Sequence, residues 1–388
     1  MSQSFEEISA QLKKRHRRSA RMKWLTMGAL ILSAAFLVVF ISDMVVRGWP
    51  AFQQAQIQVD VTYNEQSKEI PLAAVSEEFR PLVSRGFFRI LPLRMEDNPA
   101  LMGTTKTQWV IADSPVDQYL KGNKNELSSS QRNVVDKLVK QGRAELKFNT
   151  TFFTTGDSKM PELAGIAAAA IGTMMTMLVT MAVCFPIGVM TAVYLEEFAP
   201  DNKLTQIIEI NINNLAAVPS ILFGLLGLAI YISFFGVPRS SPLVGGLTLA
   251  LMTLPVIIIS TRAALRSVPD SIRHAAFGVG CSRWQVVRDH VLPVSLPGIL
   301  TGSIIGLAQA MGETAPLIIV GMVAFIPEAS MTLTDASTVM PAQIFTWASQ
   351  PEAAFAEKTA GGILVLLAVL IFLNALAVWL RNKFERRW

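Results

Sequence analysis

Residues 267–293 read SVPDSIRHAAFGVGCSRWQVVRDHVLP, a polar segment set between two long apolar stretches. Ser267 or Asp270 is placed to cap a helix that carries Ala275 and Ala276, because a side-chain oxygen ahead of a helix accepts from its free N–H groups. Gly280 suits the left-handed position that ends such a helix. Ser282 and Gln285 have the Ser-x-x-Gln spacing of a capping box, which opens a second short helix, and Pro293 marks that helix's limit. The reading is helix, turn, helix. Two adjacent alanines let another backbone approach closely, and the flanking arginines can address acidic residues on a partner.

The apolar stretches on either side decide what kind of protein carries this hairpin. Of 388 residues, 51% are hydrophobic and 16% charged, and the mean hydropathy of +0.42 excludes an ordinary soluble enzyme. A bilayer span needs about 20 predominantly apolar residues. Six stretches meet that length: 24–46, 163–187, 207–235, 242–261, 298–325 and 361–380. The first follows a basic segment, yet it is too long for a secretory signal and has no small-residue cleavage pattern before Gly48, Trp49 and Pro50, so it reads as a retained helix.

Lys and Arg in short loops favour the cytoplasmic side. One side collects Lys13, Lys14, Arg15, Arg17, Arg18, Arg21, Lys23, Lys203, Arg262, Arg266, Arg273, Arg283, Arg288, Arg381, Lys383, Arg386 and Arg387; the other short loops hold only Arg239 and Lys358. Six spans with both termini cytoplasmic satisfy this distribution, in contact with membrane lipid. Topology therefore accounts for the net charge of +5. Nucleic-acid binding is not indicated, because the basic residues hug membrane ends and lack interleaved aromatics.

The chain divides into a basic cytoplasmic tail (1–23), a first transmembrane helix (24–46), an extracytoplasmic α/β insertion (50–160), a five-helix core (161–380) containing the cytoplasmic loop 262–295, and a tail (381–388). Within the insertion, Ala55, Ile57, Val59, Val61 and Tyr63 alternate with polar residues at the period of a half-buried strand. A helix is expected over Gln131–Gln141, with Ser130 as its cap and Gly142 after its end. Ala144, Leu146, Phe148 and Thr150 then alternate again.

Chemistry-bearing motifs are few. Cys184 falls in a predicted span and Cys281 in a loop, so they form neither a disulfide framework nor a metal site, and His16, His274 and His290 have no zinc-site spacing. No Gly-rich phosphate loop of the Gly-x-x-x-x-Gly-Lys-Ser/Thr type occurs. Any ATP hydrolysis belongs to another chain. Inside the spans, Glu313 is the costly residue, since a carboxylate at mid-bilayer costs on the order of 3 kcal/mol and should face protein or water. Gln309 lies one turn earlier on the same face and Thr314 beside it. These residues, with Asn213, Asn214 and Ser220 beside the helix break that Pro219 places in the third span, either line a translocation path or make structural hydrogen bonds within the bundle. Gly302, Ser303 and Gly306 form a small-residue face suited to close helix packing.

The loop resembles the motif of ABC importer permeases: Glu-Ala-Ala, three residues, Gly, nine residues, Ile, one residue, Leu-Pro. Here His274, Ala275 and Ala276 are followed by Gly280, His290, Leu292 and Pro293, with every spacing kept and histidine at the acidic and the aliphatic positions. Asn214 to Gly224, Gly312 to Leu317 and Leu195 to Pro200 are similar to one branch of that family, the PstA subunits of phosphate-specific transporters, over residues 160–388. Many members carry a basic residue four positions before the glutamate, where this chain has Gln309.

The resemblance implies a six-helix type I ABC importer permease, polytopic and α-helical, with a small extracytoplasmic α/β insertion. It implies import of inorganic phosphate along a path shared with a second, PstC-like permease. His274, Ala275, Ala276, Gly280, Ser282, Arg283, Leu292 and Pro293 would couple to two copies of a PstB-like ATPase that binds ATP and Mg, and a PstS-like soluble binding protein would deliver the anion. No cofactor is expected in this chain. A permease for molybdate, sulfate or phosphonate shares these physical features. An ion-coupled secondary transporter would show an inverted repeat with matched broken helices, and a membrane-anchored sensor would not need the loop's spacing.

Overall fold

A computed structural model describes the backbone of residues 5–384, so Arg386 and Arg387 lie outside the described residues. The chain opens with helix α1, Phe5–Gly48. At 1.5 Å per residue its 44 residues extend about 66 Å, roughly twice a bilayer's hydrocarbon core. The basic segment from Lys13 to Lys23 therefore prolongs the apolar span as continuous helix. Gly48 seats α1 on a later helix: a methyl group there would stand 2.8 Å from the Ala360 carbonyl oxygen.

The insertion is a three-stranded antiparallel sheet of order β2-β1-β3, with β1 at Gln53–Thr62, β2 at Thr105–Ile111 and β3 at Ala144–Phe148. Ala55, Ile57, Val59 and Val61 of β1 are fully buried. They face helices α3 (Arg85–Asp97), α4 (Ser114–Leu120) and α5 (Ser129–Lys140), which contribute Leu91, Val116, Val135 and Leu138 to one core, while the short α2 (Glu65–Glu69) lies against α3. The cap of α5 is Ser128 and not Ser130: Ser128 Oγ accepts from Gln131 N–H while Gln131 Oε1 accepts from Ser128 N–H, and Ser130 falls inside the first turn. The alternation expected through Thr150 stops at Phe148, because the Asn149 side chain accepts from Phe152 N–H and starts α6, Thr150–Thr154. β3 is an edge strand with only Ala144 buried, and its Phe148 ring stacks on Phe153 instead of entering the sheet core.

Among the described residues, five helices are long and apolar enough to cross a membrane, and a bent pair makes up to six. α7 (Ala167–Val193) ends in a π-helical turn at Tyr194–Phe198. The third expected span is two helices, α8 (Lys203–Ala216) and α9 (Ser220–Gly227), bent by 101°. Pro219 lies in the break and disfavours helical backbone at Val218. α10 covers Pro242–Arg266, and α11 (Asp270–Gly278) and α12 (Arg283–Gln285) form the connecting loop. α13 (Leu292–Gly312) is followed by α14 (Ala315–Ile319), the buried α15 (Met340–Ala348) and α16 (Ala353–Phe384).

α7 and α10 form the centre of the bundle. A side chain at Gly246 would stand 2.5 Å from Val179 and 2.9 Å from the Thr176 carbonyl oxygen, so the two backbones touch. α13 lies on the other side of α10 through its small face, with Gly302 against Ser260 and Gly306 against Thr253. Lys358, assigned to a loop from sequence, is instead a buried residue of the first turns of α16.

Candidate functional site

Arg266 ends α10, and Ser267 Oγ donates to the Ala264 carbonyl at 2.7 Å. Ser267 is thereby committed to the preceding helix. Neither it nor Asp270 caps α11, whose N-cap position is occupied by Pro269 without a side-chain bond. Gly280 has φ +87°, the left-handed conformation that ends the helix, and the N–H groups of Gly280 and Cys281 close onto the carbonyls of Phe277 and Ala276. Ser282 and Gln285 make the reciprocal capping box. Pro293 does not end the second helix: α12 passes through a π-helical turn at Val286–Val291 into α13, and the helix runs on past Pro293.

The alanine pair divides its work. Ala276 is buried among Val193, Leu265, Val268, Val286, Val287 and Val291, whereas His274 and Ala275 point outward with Ser282, Arg283 and Pro293; Leu292 is half-buried. Around them stand Phe277, Val279 and Trp284, three large exposed apolar side chains on an otherwise polar loop. Their signal in the sequence is that they interrupt the charged residues between the spaced positions of the motif.

The arginines of this loop bind mostly within the chain, which corrects the expectation that they serve a partner. Arg273 Nη2 donates to Glu197 Oε1 at 2.8 Å, and Arg266 Nε to Glu196 Oε1 at 2.8 Å. Arg262 donates to Glu196 at 3.2 Å and to Glu209 at 2.6 Å. The hydrogen bonds that Arg273 donates to Glu197 raise its pKa above its already high value. Arg288 pairs with its neighbour Asp289. Arg283 lies over the Phe198 ring and remains exposed. An open cleft of about 490 Å³ separates the end of α7 from the loop, lined by Glu197, Asp270, Arg273, Phe277 and Arg283 among others.

The proposed path residues flank two helix breaks. Asn213 and Asn214 are exposed on the last turn of α8, and Ser220 opens α9 half-buried. Gln309 is exposed near the end of α13. Glu313 has extended backbone (φ −75°, ψ 127°) between α13 and α14, with Thr314 next to it, so it lies at a break and not in the middle of a helix. Gln309 and Glu313 thus share no helical face. α9 rests directly on α14, where a methyl group at Gly224 would stand 2.8 Å from Pro316 Cα. Leu215 and Val218 of the first break and Ala310 and Met311 beside the second pack into one apolar cluster. The structure therefore gathers both breaks around a common core. Among the described residues no salt bridge reaches Glu313 and no group of three His, Cys, Asp or Glu is placed to hold a metal ion.

Residues 184–388 match the family described as binding-protein-dependent transport system inner membrane component. The chain belongs to this family. Residues 9–78 of this permease also match a domain of unknown function, DUF3333. The phosphate transport system permease protein PstA 1 of Mycobacterium tuberculosis is 30% identical over 224 residues, 58% of this chain and 72% of that protein. The probable ABC transporter permease protein YqgI of Bacillus subtilis is 33% identical over 182 residues, 47% and 60% of the two chains. The phosphate transport system permease protein PstA of Yersinia pestis is 30% identical over 213 residues, 55% and 71%. A chain of the MetNI methionine ABC transporter is similar in structure at 16% identity and a TM-score of 0.44, covering 57% of this chain and 95% of that one.

The permease holds a second ionic cluster at the other end of α7, where the insertion meets α16. Lys121 Nζ lies 2.7 Å from Asp117 and 2.6 Å from Glu357, and Gln118 Nε2 donates to Glu357 at 2.9 Å. Asp117 also accepts from the Ala55 N–H at 2.7 Å, which fixes α4 to β1. Close by, Glu162 accepts from Ser84 Oγ at 2.6 Å, and burial raises its pKa. Asp157 accepts from Trp347 Nε1, and burial raises its pKa as well. Nothing in the sequence pattern joins Lys121 to Glu357.

Proposed function

We propose that this permease is the PstA-type subunit of an ATP-driven importer of inorganic phosphate. The observation that carries the reading is the 30% identity to curated phosphate transport permeases across most of those proteins' length. It is supported by the segment Gly312 to Leu317, which builds the break holding Glu313. The substrate path in this reading runs along the two breaks, past Asn213, Asn214, Ser220, Gln309, Glu313 and Thr314, and a second, PstC-like permease completes it. Both termini and the loop 262–295 lie in the cytoplasm in this reading, which the distribution of lysine and arginine supports. The insertion lies outside, on the side from which a PstS-like binding protein delivers the anion.

ATP and Mg bind to two copies of a PstB-like ATPase, and the exposed loop surface around His274, Ala275, Phe277, Val279 and Trp284 docks on it. An apolar centre with a polar rim is the usual composition of such an interface. Co-expression with the candidate ATPase, second permease and binding protein, followed by ATPase assays in vesicles, tests the reading. Phosphate-loaded binding protein should stimulate hydrolysis and phosphate should accumulate. Stimulation by sulfate or molybdate in place of phosphate would overturn the substrate assignment.

A further inference from the structure

We propose that Glu197 is a positioning residue through which displacement of α11 reaches the transmembrane bundle; this rests on the reading of the loop as the ATPase-docking element. The π-helical turn at Tyr194–Phe198 grips both arms of the loop. Glu197 takes the Arg273 guanidinium of α11 through Nη2 at 2.8 Å and Nε at 3.4 Å, and both side chains are largely buried. On the other arm, the Phe198 ring lies against Trp284 and beneath the Arg283 guanidinium.

Arg273 is more than an ion-pair partner. Its Nη1 donates to the Val268 carbonyl at 2.7 Å and to Asp270 Oδ1 at 3.2 Å, and its Nη2 also donates to the Leu265 carbonyl at 3.0 Å. One planar group thus joins α11, the end of α10 and the end of α7. Arginine's fixed fork holds direction as well as distance, which a lysine's single ammonium does not. The adjacent Glu196 binds Arg262 and Arg266 of α10, and Arg262 reaches on to Glu209 of α8. A push on α11 is therefore handed to α7 by Glu197, and through Glu196 and Arg262 to α10 and to the helix that leads into the first break. Without Glu197, α11 keeps the short Ser267–Pro269 connection, the Arg273 bonds to the end of α10 and the apolar seat of Ala276, which touches α7 through Val193 but makes no directional bond to it.

The test uses the full complex in vesicles and measures ATP hydrolysed per phosphate imported, together with the amount of assembled complex. In Glu197→Gln, the ratio should rise at least about fivefold, the lower end of typical coupling between sites. Arg273→Lys, which keeps the charge and loses the fork, should shift the ratio in the same direction by less, and Glu197→Asp should recover part of the coupling. An unchanged ratio in Glu197→Gln and Arg273→Lys overturns the inference. So does a loss of assembled complex with an unchanged ratio in what remains, which would make Glu197 a residue that only holds the fold. A wild-type complex without phosphate-dependent hydrolysis would instead sink the functional reading, independently of Glu197.

Discussion

Lys121 of the insertion and Glu357 of α16 lie 2.6 Å apart with side chains 3% and 6% exposed, and Asp117 binds the same ammonium at 2.7 Å. This contact makes the insertion a fixed extension of the bundle, because a buried ion pair tolerates little displacement before its desolvation is no longer offset. Lys121→Ala should loosen the insertion by about 3 kcal/mol, since Asp117 and Glu357 lose the ammonium bound directly to both and keep only the nearby Lys358. The double change Lys121→Met with Glu357→Met should cost less than Lys121→Ala. Limited proteolysis of residues 53–148 and thermal unfolding in detergent measure both; equal costs would show that the pair contributes only packing.

Gly280 offers a cleaner perturbation of the loop. Open space surrounds the position where its Cβ would stand, so a substitution there meets no clash and only the φ of +87° resists it. A β-branched residue pays the left-handed penalty in full, on the order of 2 kcal/mol, whereas asparagine tolerates that region. Gly280→Val should lower phosphate uptake and ATPase stimulation several-fold at normal expression, and Gly280→Asn should stay close to wild type. Normal coupling in Gly280→Val would remove the turn from the mechanism.

The Gly280 turn and the Ser282 cap are legible because they are local, whereas Ser267 turns back onto α10 and Pro293 lies inside a continuing helix, which spacing does not reveal. Gly280, Ser282 and Gln285 satisfy backbone groups a few residues away, so spacing alone places them. The strand around Ile57 was legible for the same reason. What sequence could not give is which partner a charge chooses: Arg273 looks free until the fold brings Glu197 beside it, 76 positions earlier in the chain. Likewise Pro219 marks a break within the apolar run 207–235, but the 101° angle of that break and the seat of α9 on α14 at Gly224 bring together residues far apart in the chain. Glu313 was misplaced to mid-helix because the apolar run continues past Gly312 although the helix does not.

Glu162 carries a pH signature. Burial raises its pKa above 4.5, so the folded protein binds a proton more tightly than the unfolded chain does. Stability from the protonated form is fully present below pH 4.5 and is lost as pH rises through the raised value. Glu162→Gln keeps an acceptor for Ser84 Oγ and carries no charge at any pH. Its melting temperature relative to wild type should be higher at pH 8, and the advantage should vanish below pH 4.5. A constant difference across that range would show that Glu162 does not titrate differently on folding.

Glu313 closes the second break, half-buried, with no cation of the described residues bound to it. A carboxylate in a membrane's interior costs on the order of 3 kcal/mol when unpaired, so a cation supplied by another subunit is the counter-charge this position calls for. The second permease is the source expected in a paired importer, and an anion path lined by an acid also requires that neutralisation. Glu313→Gln keeps the side chain's size and removes its charge, which leaves the partner's cation without its counter-ion. Losing one member of such a pair costs about 2 kcal/mol or more, so uptake should fall more than about tenfold while the complex still assembles. Neutralising the partner's cation should restore part of the activity of Glu313→Gln, because the orphaned charge is then gone. Uptake by both single variants and the double variant decides the matter, and wild-type uptake in Glu313→Gln alone would reduce the residue to a packing element of the break.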